Sequence, residues 1–268
     1  MVSTSPRGYT SWPGVINVDA ETSTPLVGRE GFAQKRGVLL SVEGLWGAGK
    51  STIATALGQR MSAAGFMTTV LHYGPRPGVI GRLSHLLETA PLRSREGLGG
   101  YAHPHHATVD VLLRLCREAY HHTHLYRPAL TEHDVVVIDH GVYAKLAYAL
   151  AVLSEQHPEA EVSVLVDQVR ACAAPWFLHP DRAIFLDMPW PLARERAIER
   201  GHGGGNPGSL ERLLFLPRYA AAYRHVTAAH SGRVHRIRVG LRDVASVLAE
   251  IEDDLVDLLH TPLGAVDV

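Results

Sequence analysis

Short apolar runs alternate with longer amphipathic stretches through most of the chain. Apolar runs of strand length cover residues 38–42, 67–71, 134–139, 182–187 and 234–239. Apolar residues at helical spacing predict helices at about 51–64, 79–90, 108–126, 142–155, 161–175, 191–200, 210–229 and 241–260. Strands that alternate with helices predict a parallel sheet wrapped on both sides. We therefore expect an α/β fold of three layers, α/β/α, around a central parallel sheet.

The two ends of the chain lack this pattern. Residues 1–36 are rich in Ser, Thr, Pro and Gly and show no sustained periodicity. We expect them to form a flexible extension or to lie along the surface. The predicted domain covers residues 37–262, and residues 263–268 are a C-terminal tail.

A glycine-rich loop follows the first predicted strand. The segment from Gly44 to Ser51 has the sequence GLWGAGKS and matches G-x-x-x-x-G-K-[ST] at every fixed position. With a strand before it and a helix after it, such a loop turns backbone N–H groups toward an anion at the positive end of the helix. Lys50 would reach the β- and γ-phosphates, and the Ser51 hydroxyl would ligate Mg²⁺. The loop predicts binding of a nucleoside triphosphate.

Two acidic residues stand at the ends of predicted strands. Asp139 ends the strand at 134–139, where we predict a carboxylate that holds Mg²⁺ or its water, with helix capping or turn formation as the alternative. Glu43 immediately precedes the glycine-rich loop, and we expect its carboxylate to point toward the γ-phosphate rather than into the core. It would act as a general base if the acceptor is a hydroxyl, or orient substrate or metal if the acceptor is a phosphate.

Three arginines lead into a second glycine-rich segment. Arg194, Arg196 and Arg200 fall within two predicted helical turns, and five glycines follow in residues 201–208. Five glycines in eight residues disfavour stable structure, so we predict a mobile lid at about 194–210 that brings positive charge to the migrating phosphate. A solvated helix paired through Glu195 and Glu199 is the alternative. The predicted nucleotide-binding residues are Gly44, Trp46, Gly47, Ala48, Gly49, Lys50, Ser51, Thr52 and Arg200.

Composition restricts the setting in which this chemistry takes place. The chain has 268 residues with a formal net charge of -1, so no global field draws it to nucleic acid or to an anionic membrane. No apolar run approaches the length of a membrane span. Its 2 cysteines lack the spacing of metal ligands, which makes a reducing, cytoplasmic setting our expectation.

Several segments together resemble the thymidylate kinase family within the P-loop nucleoside and nucleotide kinases. Residues 43–52, EGLWGAGKST, resemble the family's E-G-x-[DE]-G-A-G-K-[ST]-T. Further similarities, in order, are RPAL at 127–130, VVID at 136–139, LAY at 146–148, PDRAIFLD at 180–187 and the arginine-bearing helix at 194–200. The resemblance covers about residues 37–258. It implies ATP and Mg²⁺ as cofactors, transfer of the γ-phosphate to a small-molecule acceptor, and a possible homodimer.

The chain departs from the family pattern where the family binds its acceptor. Trp46 replaces the acid inside the loop, and His140 follows Asp139 where the family has arginine. Arg117-Glu118 stands in place of the family's Asp-Arg pair. These losses favour an uncharged hydroxyl acceptor, such as a nucleoside or a sugar-containing metabolite. A thymidylate-type nucleoside monophosphate kinase and a nucleotide-binding regulator without transfer activity are the alternatives. We predict acceptor contacts from Tyr73, Arg76, Arg117, His121 and His140.

Histidine is abundant in the same region of the sequence. Six of the 17 histidines are His103, His105, His106, His121, His122 and His124. One or two of them would contact the acceptor, whereas a zinc site is disfavoured because their spacing matches no common ligand pattern. For any single one, a surface histidine is the plainer interpretation.

Overall fold

Five parallel strands form one sheet in the part of the chain that the structure, a computed structural model, describes: residues 36–72, 107–202 and 207–260. The strands are Val38–Gly44 (β1), Thr68–His72 (β2), Val135–Asp139 (β3), Arg182–Asp187 (β4) and Val234–Arg238 (β5). Their order is β2-β3-β1-β4-β5, and every neighbouring pair is parallel. Each strand lies where the apolar runs predicted one.

The sequence explains which strands occupy the centre of the sheet. Every residue of β1 and of β3 is buried. Since successive side chains of a strand point to opposite faces, burial of all of them means that both faces of the sheet are covered. The edge strands β2 and β5 contain polar residues and are more exposed, as with Thr68 and Arg236.

Helices flank this sheet and confirm the predicted α/β architecture. Their bounds are Lys50–Ala63 (α1), Ala107–His121 (α2), Arg127–Glu132 (α3), Val142–Gln156 (α4), Val162–Ala173 (α5), Trp190–Ala197 (α6), Pro207–Ala229 (α7) and Val244–His260 (α8). Helix α1 packs against β1, β2, β3 and α8, whereas α4 packs against α2, α5 and α7. Within the described ranges, none of these helices has the length and apolar character needed to span a membrane.

Two helices continue into π-helical turns that the periodicity did not predict. The turn His122–Tyr126 follows α2 and leads into the short helix α3, and the turn Ile198–His202 follows α6. A π turn inserts an extra residue into the helical repeat and often lies at a functional site. Here the two turns carry His122 and Arg200. Three predicted segments lie outside the described residues: the helix at 79–90, the tail at 263–268, and all of the extension at 1–36 apart from its last residue.

Candidate active site

The glycine-rich loop joins the carboxyl end of the central strand to the amino end of α1. Gly47 and Gly49 have φ angles of 88° and 91°, in the left-handed region that glycine adopts without strain. The N–H of Ala48 donates to the carbonyl of Leu45 at 3.1 Å and closes the turn. The first N–H groups of a helix lack intrahelical partners, so the start of α1 presents donors and a positive dipole end beside the loop. This geometry suits a phosphate chain.

Lys50 lies in the loop with most of its side chain covered. Its residue exposure is 9%, and its ammonium donates to the carbonyl of Leu45 at 2.9 Å. Burial lowers the pKa of Lys50 to about 8, while the negative charges of Asp139 and Glu43 oppose this and the positive charge of Arg200 adds to it. Asp139, the predicted strand-end acid, and Arg200, one of the predicted lid arginines, are therefore each within electrostatic reach of Lys50.

Asp139 ends β3 beside the central strand, where its backbone is the register partner of Val42. Its side chain is 10% exposed, and Oδ2 lies 3.2 Å from Nδ1 of His72. The other oxygen, Oδ1, is buried and has no hydrogen-bond partner among the described residues. A buried carboxylate oxygen needs a partner, and Mg²⁺ or its bound water would supply one. Asp139 therefore has the chemistry expected of a Mg²⁺ ligand, and the hydroxyl-bearing Ser51 is exposed at the start of α1.

The expected orientation of Glu43 is wrong. Its side chain is fully buried, and its carboxylate caps α4 from the neighbouring strand. Oε1 accepts from the N–H of Tyr143 at 3.3 Å and from the hydroxyl of Ser41 at 3.1 Å, and Oε2 accepts from the N–H of Ala144 at 2.9 Å. Gly141 permits this approach, since a Cβ there would lie 2.5 Å from Oε1. Burial raises the pKa of Glu43 to about 7, although these hydrogen bonds and the charge of Lys145 oppose the rise.

A tyrosine of α7 connects this cap to the glycine-rich loop. The hydroxyl of Tyr223 accepts from the N–H of Gly44 at 3.3 Å and donates to Oε2 of Glu43 at 3.3 Å. The Trp46 ring packs beside the same helix, with its centroid 5.0 Å from that of Tyr219 and 6.1 Å from that of Phe215. The loop is thus attached to α7 by one hydrogen bond and by aromatic packing. From the sequence, Tyr223 is similar to a residue of the helix that follows the lid in the family, but we assigned it no role.

The three predicted lid arginines have different surroundings. The Arg194 guanidinium lies 5.1 Å from the ring centroid of Trp190, in a cation–π contact. Arg196 donates to the carbonyl of Gly240 at 2.9 Å, which ties α6 to the end of β5. Arg200 is exposed in the π turn, and its positive charge contributes to the low pKa of Lys50. Residues 203–206 of the predicted lid lie outside the described residues.

Acceptor contacts were predicted on α2, and there the structure reveals a buried charged cluster. Arg117, Glu118, His121 and His122 are all buried. Oε1 of Glu118 accepts from the hydroxyl of Tyr126 at 3.4 Å, and Leu178 N–H donates to Nδ1 of His122 at 2.8 Å. Burial raises the pKa of Glu118, but the charge of Lys145 and hydrogen bonds from both histidines outweigh it and hold the pKa well below its ordinary value.

Two further residues, His140 and Lys145, interact electrostatically with Arg117 and Glu118 of this cluster. His140 has a φ angle of 75°, unusual for a residue with a side chain. Burial, followed by the charges of Lys145 and Lys50, holds the pKa of His140 well below its ordinary value. Lys145 is buried in the first turns of α4, and burial lowers its pKa to about 8. A lone lysine in the apolar stretch VYAKLAYALAVL could have drawn attention to it.

Other predicted acceptor residues and metal ligands can be placed only in part. Tyr73, Arg76, His103, His105 and His106 lie outside the described residues. Among the residues that the structure does describe, no group of three histidine, cysteine or acidic side chains is arranged to hold a metal ion.

Comparisons with known proteins agree on one family. The thymidylate kinase family model matches residues 42–251. A thymidylate kinase of Bordetella petrii is 31% identical over 231 residues, covering 85% of this chain and 99% of that protein. A probable thymidylate kinase of Methanospirillum hungatei is 29% identical over 166 residues, covering 62% of this chain and 70% of that protein. The structure of thymidylate kinase from Candida albicans is similar in fold, with a TM-score of 0.61, 18% identity, and coverage of 84% of this chain and 94% of that one.

Proposed function

This chain belongs to the thymidylate kinase family and is an ATP-dependent phosphotransferase, and we propose that it transfers the γ-phosphate of ATP to a nucleoside monophosphate, with thymidylate as the first acceptor to test. The observation that carries the proposal is the position of Lys50 in the glycine-rich loop, with Asp139 at the end of the adjacent strand as the register partner of Val42. Phosphoryl transfer consists mainly of positioning and charge stabilisation, and this group supplies both.

Each of these residues has a defined part in the proposed transfer. The loop N–H groups and Lys50 hold the β- and γ-phosphates, and Arg200 brings a further positive charge from the π turn after α6. Asp139 and Ser51 are the residues that would hold Mg²⁺, whose charge offsets part of the charge on the phosphates. Arg194 and Arg196 support the helix that carries Arg200, through Trp190 and through the carbonyl of Gly240.

The environment of Glu43 favours a phosphate acceptor over a hydroxyl acceptor. A hydroxyl must lose its proton during transfer, and a general base needs hydrogen-bond reach to that proton. The carboxylate of Glu43 instead accepts hydrogen bonds from two N–H groups of α4 and from two hydroxyls. A phosphate acceptor is already ionised at neutral pH and requires no base, so Glu43 can serve the reaction by orienting α4.

An unphosphorylated nucleoside or sugar is the second candidate acceptor. Two substitutions favour it: Trp46, which packs against α7, and His140, which follows Asp139. Both replace residues that the resemblance associates with the acceptor nucleotide. Turnover on compounds that lack phosphate distinguishes the two candidate acceptors, because only the second candidate predicts it.

Coupled ADP release tests the proposal. The purified full chain is assayed with MgATP against thymidylate, other nucleoside monophosphates, and the corresponding nucleosides, and we expect turnover on thymidylate. Lys50→Met should reduce kcat/KM at least about 100-fold, since one cation on the phosphates is removed. Arg60→Met is the matched control, because Arg60 lies on the outer side of the same helix and pairs with Glu252.

Each outcome of this assay separates the candidates. Turnover on nucleosides alone would replace the proposed acceptor with the second candidate. Binding of ATP without turnover on any acceptor would favour the regulator. Full activity of Lys50→Met would contradict the placement of the phosphate-binding site itself.

A further inference from the structure

We propose that His72 is a positioning residue that orients the carboxylate of Asp139 for the metal–nucleotide complex. The inference rests on the proposed function, since it concerns the same phosphate site. His72 is the last residue of β2, and its backbone is the register partner of Asp139 in the adjacent strand β3. Both side chains therefore stand at the carboxyl ends of parallel strands, the edge of an open α/β sheet where ligands bind.

The hydrogen bond between the two residues fixes their roles. A carboxylate only accepts, so the Nδ1 atom of His72, 3.2 Å from Oδ2 of Asp139, must carry the proton. This contact engages one carboxylate oxygen and leaves Oδ1 as the buried oxygen without a hydrogen-bond partner among the described residues. The two oxygens are thus distinguished: Oδ2 is held in place, and Oδ1 is available to a cation or to its bound water.

Losing this contact would release the carboxylate toward another charge. Asp139 is close enough to Lys50 for the two charges to influence each other. With Oδ2 unpartnered, the carboxylate could turn to the Lys50 ammonium and leave the orientation in which it would hold Mg²⁺. Partners that orient a metal ligand through a hydrogen bond typically change metal affinity or activity by about 10–100-fold when they are replaced.

Packing does not account for His72. Its side chain is 50% exposed, so a substitution removes little buried surface and should leave the fold intact. Substitution of His72 by Asn or by Gln distinguishes the roles of the two ring nitrogens. The Asn side chain places an N–H donor near the position of Nδ1, and the longer Gln side chain places one near that of Nε2. His72→Asn should therefore preserve the bond to Asp139, whereas His72→Gln and His72→Ala should lose it.

Calorimetric titration with ADP, in Mg²⁺ and separately in EDTA, measures the metal-dependent part of nucleotide binding without an acceptor. We expect His72→Gln and His72→Ala to bind MgADP about 10-fold more weakly than the wild-type protein, with binding of metal-free ADP unchanged. His72→Asn should remain within about 3-fold of wild type. His157→Gln is the matched control, since His157 is 47% exposed and also pairs with a carboxylate, that of Glu159.

A double mutant closes the test. If His72 acts through Asp139, His72→Gln should have no further effect on MgADP affinity in an Asp139→Asn background. MgADP affinity in His72→Ala equal to that of wild type would overturn the inference. Equal losses in His72→Asn and His72→Ala would overturn it as well. Because no acceptor is present, a protein inactive on thymidylate can still show the expected pattern, and an active one can fail to show it.

Discussion

Glu43 makes a prediction about stability whose sign depends on pH. Burial raises the pKa of its carboxyl from 4.5 to about 7. At about 1.4 kcal/mol per pKa unit, the ionised carboxylate costs the folded protein about 3 kcal/mol relative to the unfolded chain. A folded-state pKa above the unfolded value means that the folded state binds the proton more tightly. The free energy of unfolding should therefore fall as the pH rises from about 4.5 to about 7, and the contribution should be constant above that.

The variant Glu43→Gln isolates this contribution, because its amide does not titrate. At pH 5 the wild-type carboxyl is protonated and resembles the amide in shape, except that the amide N–H₂ faces N–H donors of α4. At pH 8 the wild type carries the buried charge and the variant does not. The free energy of unfolding of the variant, minus that of the wild type, should thus become more positive by about 3 kcal/mol between pH 5 and pH 8.

Urea unfolding at the two pH values, followed by tryptophan fluorescence and circular dichroism, measures this difference. Glu159→Gln is the control, since the Glu159 side chain is 73% exposed and its replacement should shift stability by less than about 0.5 kcal/mol at either pH. A difference between Glu43→Gln and wild type that does not change with pH would refute the reasoning. A change of opposite sign would mean that the helix N–H groups outweigh burial and depress the pKa.

The same variant separates a cap from a general base. A base removed by an isosteric amide typically costs about 100–10,000-fold in turnover. If Glu43 serves only to orient α4, Glu43→Gln should retain turnover on thymidylate to within about 10-fold. A loss of about 1,000-fold, with unfolding behaviour as described above, would restore the general-base hypothesis and with it the hydroxyl acceptor.

Two further predictions concern the attachments of the loop. Gly47→Ala should destabilise the protein by at least about 2 kcal/mol in urea unfolding, since a methyl group at φ 88° would overlap the carbonyl of Ala193. The control Gly65→Ala, at φ 94° with open space around it, should cost only about 1 kcal/mol. Equal losses in the two variants would contradict the contact between Gly47 and α6. Tyr223→Phe should cost about 1–3 kcal/mol because it leaves the N–H of Gly44 and Oε2 of Glu43 each without one buried partner. The exposed Tyr120→Phe should be neutral, and a neutral Tyr223→Phe would show that the network carries no stability.

The strands and the phosphate loop could be predicted because local chemistry determines them. Apolar runs that end in Gly44 or Asp139 indicate a buried strand with a functional residue at its carboxyl end. The motif at 44–51 predicts a specific loop conformation between a strand and a helix. The polar residues of 68–72 and 234–238 also contain a signal for the sheet edges, since a strand with polar side chains on both faces is poorly suited to the centre.

The orientation of Glu43 could not be predicted in the same way. A residue at the tip of a strand can point to the ligand or to the helix that follows the neighbouring strand, and sequence distance does not reveal which helix starts there. Apart from Ser41, the partners of Glu43 are 100, 101 and 180 residues away along the chain. Gly141, directly before α4, contained a partial signal, because it leaves room for a side chain from another element. The π turn that carries Arg200 likewise has no periodic signature.

The ionised Glu43 carboxylate is expected to lower stability at neutral pH, and the geometry around β1 indicates what it provides in return. Glu43 and Gly44 are consecutive residues, so one strand end both caps α4 and begins the phosphate loop. Tyr223 bonds to both residues and brings α7 into the same unit. Helix α4 bears Lys145, and α7 follows the segment predicted as the lid. The glycine-rich loop, α4 and α7 are thereby held in one arrangement. Buried polar groups that cost stability but fix geometry are expected where catalysis depends on position, as it does in phosphoryl transfer.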